Sequence, residues 1–179
     1  MRAFFGLSPD PSTKLAIEAW RNKALPDFDY PVVPANFHIT LSFLGQILPK
    51  HLDQMQTSID AMPAIKEFNV TLDHIGYWAK PKALWLGCEQ TQSAHLSLAK
   101  QLTKIAKSAG LSMRKEDYIA HLTLARKCKV NPPSPLIAPN FSWRASHFHL
   151  FESVSGPHGV TYVIRQSWPL QKGFAFQNS

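Results

Sequence analysis

Apolar positions recur along the chain with two periods, near 2 and near 3.6, and the period switches repeatedly. Ala3-Phe4-Phe5-Gly6-Leu7 is a short apolar run and reads as a buried strand. Asp10-Pro11 follows, a capping residue and then proline at the first helical position. A helix is expected from there to about Ala24, burying Leu15, Ala16, Ala19 and Trp20. Pro26, Pro31 and Pro34 make the next stretch a loop. It leads into a strand over roughly Phe37 to Leu44, which Gly45 is expected to end. A second helix fits Pro49 to Met62, with Leu52, Met55, Gln56 and Ile59 at helical spacing.

The alternation continues. Phe68 to Leu72 and Ala83 to Cys88 read as strands, the second after a Lys80-Pro81-Lys82 turn. A third helix fits Ser93 to Ala109, with Leu96, Leu98, Leu102, Ile105 and Ala106 available to pack and Gly110 at its stop. A strand over about Ala120 to Arg126 follows. Four prolines between Asn131 and Pro139 make a loop. Phe148 to Glu152 and Thr161 to Ile164 are late strands joined by a Gly156-Pro157-His158-Gly159 turn. No low-complexity tract or long linker divides the chain, so residues 1–179 are expected to form a single domain. Each half runs helix, loop, strand, which predicts two similar lobes meeting at a cleft.

The strands after the loops carry the chemistry. His38-Ile39-Thr40-Leu41 opens the run HITLSFLG, and His121-Leu122-Thr123-Leu124 opens HLTLARK, 83 positions later. From the composition, one His-x-Thr-Leu tetrapeptide would arise by chance about 0.04 times, so two copies are informative. On a strand each His and its Thr share one face, while Ile39, Leu41, Leu122 and Leu124 turn to the other, towards a core. Two imidazoles with ordinary pKa values near ~6.5 can divide the roles of proton donor and acceptor at neutral pH. Thr40 and Thr123 offer hydroxyl donors for a tetrahedral anion. Arg126 could add a guanidinium fork for phosphate. Alternation puts it on the face away from His121, so that role requires a bulge or the strand's end. Spacing alone leaves open which histidine is the acid.

Bulk properties narrow the partner. The formal charge of +7 and a pI near 9.5 favour an anion, nucleic acid first. The basic residues are scattered, which suits steering more than sequence readout. No apolar run is long enough for a membrane span, and the opening MRAFFGLSPDP is too short for a secretory signal. Cys88 and Cys128 have no metal spacing and read as reduced thiols of a cytoplasmic protein. No carboxylate-rich metal site accompanies the motifs, so metal-free catalysis without a cofactor is expected.

Other residues have simpler readings. His51, His74, His95, His147, His149 and His158 are expected to be structural. His147 and His149 would share one strand face, which suits a metal, but no third ligand lies near in sequence. Glu116 and Asp117 precede the second motif and can orient an imidazole, although exposed loop charge is the simpler account. Trp20, Trp85, Trp143 and Trp168 read as core or core edge. Phe5, Tyr118 and Tyr162 are candidates to stack a base, with burial the default.

The paired motifs resemble those of the 2H phosphoesterase superfamily. More narrowly, the chain is similar to the bacterial RNA 2′,3′-cyclic phosphodiesterases, also called 2′-5′ RNA ligases of the LigT type. The similarity spans nearly the whole chain: AFFGL, VPANFHITLSFLG, ALWLG, AHLTLAR and FHLFES…GVTYVIRQSWPL. The second motif of the family is usually preceded by proline, where this chain has Ala120. The resemblance implies an α+β, bilobal fold with antiparallel sheets around a central cleft. It implies hydrolysis of a terminal 2′,3′-cyclic phosphate of RNA to a 2′-phosphomonoester, with His38 as proton donor, His121 as proton acceptor, and Thr40, Thr123 and Arg126 holding the phosphate. It also implies an ATP-independent 2′-5′ ligation by the reverse chemistry. The partners expected are RNA ends or nucleotides bearing a 2′,3′-cyclic phosphate, with no membrane and a monomeric protein. Two other readings stand beside it: a cyclic phosphodiesterase for small nucleotides, and an RNA-end binding module whose histidines only grip phosphate.

Overall fold

The computed structural model describes residues 1–173. In chain order the elements are β1 (Arg2–Leu7), α1 (Pro11–Ala24), β2 (Ile39–Gln46), α2 (Pro49–Asp60), β3 (Phe68–Leu72), β4 (His74–Trp78), β5 (Ala83–Gly87), α3 (Ser93–Ser108), β6 (His121–Ala125), β7 (Phe141–Ala145), β8 (His147–Gly156) and β9 (Gly159–Pro169). Seven strands form one antiparallel sheet in the order β4-β5-β6-β2-β1-β8-β9, and β3 pairs with β7 in a second sheet. The large sheet has a narrow waist. Its two halves, β2-β1-β8-β9 and β4-β5-β6, are joined where β2 meets β6 at one residue pair, Ile39 and Leu122. Among the described residues no helix is long and apolar enough to cross a membrane.

The helices cover the apolar face of the sheet. Asp10 caps α1, its carboxylate accepting the Thr13 N–H at 2.9 Å and the Thr13 hydroxyl at 2.8 Å, as the Asp-Pro start requires. The buried face of α1 differs from the expected one. Leu15, Ala16 and Ala19 are exposed, and Ile17, Trp20, Arg21 and Ala24 face inward. Arg21 decides this rotation. Its guanidinium donates to the carbonyls of Val32 (2.6 Å) and Leu124 (3.0 Å), so a charged side chain occupies the core edge in place of Leu15. Likewise α3 turns His95 inward and leaves Leu96 exposed. The His95 ring stacks on Phe68, and its Nε2 pairs with the Tyr118 hydroxyl at 2.8 Å.

Three other expectations need correction. β2 does not end at Gly45; it bulges there. Ala3 pairs with Gly45 and Phe4 with Phe43, so Leu44 is skipped, and Gly45 supplies the positive φ of 70°. The long β8–β9 hairpin extends well past the expected strands, and the Gly156–Gly159 turn lies where its sequence indicates. β4 and β7 were not visible in the pattern. β4 is an edge strand with a partly buried face, and β7 finds its partner β3 some seventy residues upstream. The four tryptophans assigned to the core or its edge lie there, 7–8% exposed.

Candidate active site

The Ile39–Leu122 pair at the waist builds the site. Both side chains are fully buried, so the flanking residues of each strand face the opposite side. The antiparallel register that this pair sets brings His38 opposite Thr123 and Thr40 opposite His121. All four are half-buried, while Leu41 and Leu124 are 3% and 0% exposed. The two motifs thus meet as a cross-strand square of two imidazoles and two hydroxyls.

Each imidazole is held in the same way. His38 lies just before β2, after the short Pro34–Asn36 turn, and its Nδ1 donates to the Asn36 carbonyl at 2.7 Å. His121 Nδ1 donates to the Ile119 carbonyl at 2.8 Å. A carbonyl only accepts, so in both rings the Nδ1 carries a proton and Nε2 is left free for chemistry. These backbone carbonyls take the orienting role considered for Glu116 and Asp117. Glu116 instead lies 4.0 Å from Arg114, with both side chains well exposed.

Arg126 reaches the site because β6 stops at Ala125 and the chain turns, with Lys127 at a φ of 54°. This is the strand end that its role required. Its backbone N–H donates to Tyr30, and its guanidinium lies 3.4 Å from the Tyr162 hydroxyl. Burial, then the Arg126 cation, His121 and Lys14, pushes the His38 pKa down to about 4, against the opposing pull of the Asn36 carbonyl. Burial and Arg126 lower that of His121 as well, opposed by the Ile119 carbonyl. Both rings are therefore neutral at pH 7 until an anion offsets the surrounding positive charge.

Aromatic walls enclose the two rings. Phe4 lies 4.7 Å from His38, Tyr162 4.7 Å edge-on and Phe151 5.8 Å. Trp78 lies 4.6 Å edge-on to His121, with Trp85 at 6.1 Å. Of the three stacking candidates only Tyr162 borders the site. Phe5 is fully buried on the core side of β1, because strand parity presents Phe4 to the cleft. Tyr118 has its hydroxyl committed to His95. Asn36 was missed by sequence reasoning. Besides its carbonyl's bond to His38, its side chain donates to Val160 (2.7 Å) and accepts from the Tyr162 N–H (3.2 Å). It thereby ties the His38 turn to β9, and only the asparagine of VPANFH hinted at it.

His147 and His149 do share a strand face, their rings stacked at 6.4 Å. Among the described residues no group of three or more His, Cys, Asp or Glu is arranged to hold a metal ion.

The arrangement provides a proton acceptor, a potential proton donor, two hydroxyls and a guanidinium around one space, which suits displacement at a phosphoryl centre. Comparison with known proteins agrees with it. The family model described as LigT like Phosphoesterase matches residues 7–85, which include the first motif. The RNA 2′,3′-cyclic phosphodiesterase of Escherichia coli (strain K12) is 26% identical over 170 residues, covering 94% of this chain and 96% of that protein. The RNA 2′,3′-cyclic phosphodiesterase of Bacillus subtilis (strain 168) is 30% identical over 144 residues, covering 75% and 78%. The crystal structure of E. coli LigT complexed with 3′-AMP matches with a TM-score of 0.86 at 27% identity, covering 94% of this chain and 97% of that one.

Proposed function

The chain belongs to the LigT-like phosphoesterase family, and from that premise we propose that it is an RNA 2′,3′-cyclic phosphodiesterase working by two-histidine acid/base catalysis. His121 Nε2 takes a proton from water as the water oxygen bonds to phosphorus. The P–O3′ bond breaks, and His38 Nε2 gives its proton to the departing 3′ oxygen, leaving a 2′-phosphomonoester. Thr40, Thr123 and Arg126 hold the non-bridging oxygens. The single observation carrying this reading is the square of His38, Thr123, Thr40 and His121 around the Ile39–Leu122 pair.

His38 must be protonated to serve as donor, yet it is neutral in the free protein at pH 7. The negative charge of the bound cyclic phosphate supplies the missing bias by offsetting Arg126 and raising the His38 pKa. With the 5′-hydroxyl of a second RNA end in place of water, the same opening of the cyclic phosphate breaks P–O3′ and joins the ends through a 2′-5′ linkage without ATP. The same reading has the enzyme working in the cytoplasm, supported by the free thiols of Cys88 and Cys128.

The test is incubation with an oligonucleotide ending in a 2′,3′-cyclic phosphate, followed by identification of the product's phosphate position. A 2′-phosphate is expected. Binding without turnover would leave only an RNA-end binding module, and a 3′-phosphate product would reverse the direction of opening.

A further inference from the structure

The cleft continues beyond the catalytic square. The register of the sheet puts Thr40, Gly6 and His149 in one row across β2, β1 and β8, with Ser167 of β9 beyond. Gly6 carries no side chain, and the Phe151 ring lies across its place; a Cβ there would meet that ring at 3.2 Å. Phe151 therefore floors the row between the strands. Its ring lies 5.8 Å from His38 on one contact and 5.8 Å from His149 on another. The two imidazoles are thus at most two such spans apart on one continuous face. A short stretch of single-stranded chain crosses that gap.

His149 is prepared to meet an anion. Its Nδ1 is 2.7 Å from the Ser167 hydroxyl. With Ser167 donating to Nδ1, the ring's Nε2 carries the proton and is a donor even when the imidazole is neutral. Lys14, on α1, exerts its positive charge on both His149 and His38. His147 stacks beside His149, and the two line a pocket of about 150 Å³ with Ser8, Ser146 and Arg144. Asp10, the carboxylate on that pocket, is spent on capping α1. Resting on the proposed function, we propose that His149, backed by Ser167 and Lys14, forms a second anion subsite that takes the phosphodiester one linkage upstream of the cyclic end. The enzyme would then prefer RNA strands to cyclic mononucleotides.

The experiment compares a 2′,3′-cyclic mononucleotide with a short oligonucleotide ending in the same cyclic nucleotide, for the wild type and His149→Ala. A third substrate replaces the upstream linkage by a neutral methylphosphonate. The substitution is expected to raise KM for the oligonucleotide about tenfold, the scale of a charge-assisted hydrogen bond, and to leave the mononucleotide unchanged. The methylphosphonate should raise the wild-type KM similarly, with no further loss in His149→Ala. His149→Gln, which retains a donor, should recover part of the affinity, and an unchanged thermal midpoint confirms folding. Equal losses on mononucleotide and oligonucleotide would make His149 a prop of the catalytic centre and overturn the subsite. No change on either would overturn it too. A wild type that hydrolyses none of the substrates would instead refute the proposed function itself, and the subsite with it.

Discussion

The two halves of the site carry the same His-x-Thr-Leu motif and the same Nδ1-to-carbonyl bond, yet they are unequal. His38 is packed among Phe4, Phe151 and Tyr162, held by the Asn36 carbonyl, and reached by the positive charges of Arg126 and Lys14. His121 has an indole wall of Trp78 and Trp85, and among the described residues the charge acting on it is that of Arg126. A repeated motif thus produces two similar rings, and dissimilar lobes surround them with different charges and different burial. In the free protein that difference runs against His38 as the donor, so the proposed division of labour depends on the bound phosphate to bring a proton onto that ring.

The strongest way to break the comparison is to delete either ring. His38→Ala and His121→Ala should each lower kcat by ~10²–10⁴, with circular dichroism unchanged. The double variant should be little worse than the worse single one, since the pair acts as a unit. A loss of only a few-fold in one of them would mean that its half of the site is not catalytic.

Next comes Arg126, the cation shared by both halves. Arg126→Ala should reduce kcat/KM by about 10–100-fold through loss of charge-assisted phosphate binding. It also removes a charge that lowers both imidazoles. The wild-type profile of kcat/KM against pH should be a bell whose maximum lies on the acid side of 6.5, since both free-enzyme pKa values are depressed. In the variant that bell should move to higher pH. An unmoved bell would place Arg126 away from the rings, and a flat wild-type profile between pH 4 and 9 would exclude the acid/base pair.

A smaller effect concerns stability. His38, His95 and His149 are each held down to about 4 in the folded protein, by burial first. Unfolded, they would bind protons near ~6.5. The unfolded state therefore takes up more protons below that pH, so stability is complete above about 6.5 and falls as pH drops towards 4. Thermal melts at pH 7 and 4.5 should differ by about 5–10 °C. His95→Phe should flatten part of that slope without touching the site, whereas loss of the slope in His38→Ala alone would mean that only the active-site half is pH-sensitive. The smallest expected effect is that of chelation: turnover in EDTA should equal turnover without it, and rescue by a divalent ion would shift attention to His147 and His149.

Much of this was legible in the chain. The two motifs, their shared face and the apolar positions behind them follow from a strand period of two. The Asp10-Pro11 start of α1 follows from local capping chemistry, which needs no distant partner. These features depend on neighbours in sequence, so the sequence alone determined them. Only the tertiary structure decided the rest. Leu15 gives way to Arg21 because two carbonyls, one of them more than a hundred residues away on β6, need its guanidinium. Phe4 rather than Phe5 walls His38, and Arg126 enters the site where β6 ends. β4 and β7 exist because partners outside their own segments complete their ladders. The opposition of His38 to Thr123 and of Thr40 to His121 hangs on one residue pair between strands that are 83 positions apart. No local propensity encodes that register; it is set when the buried faces of two lobes close on a common core.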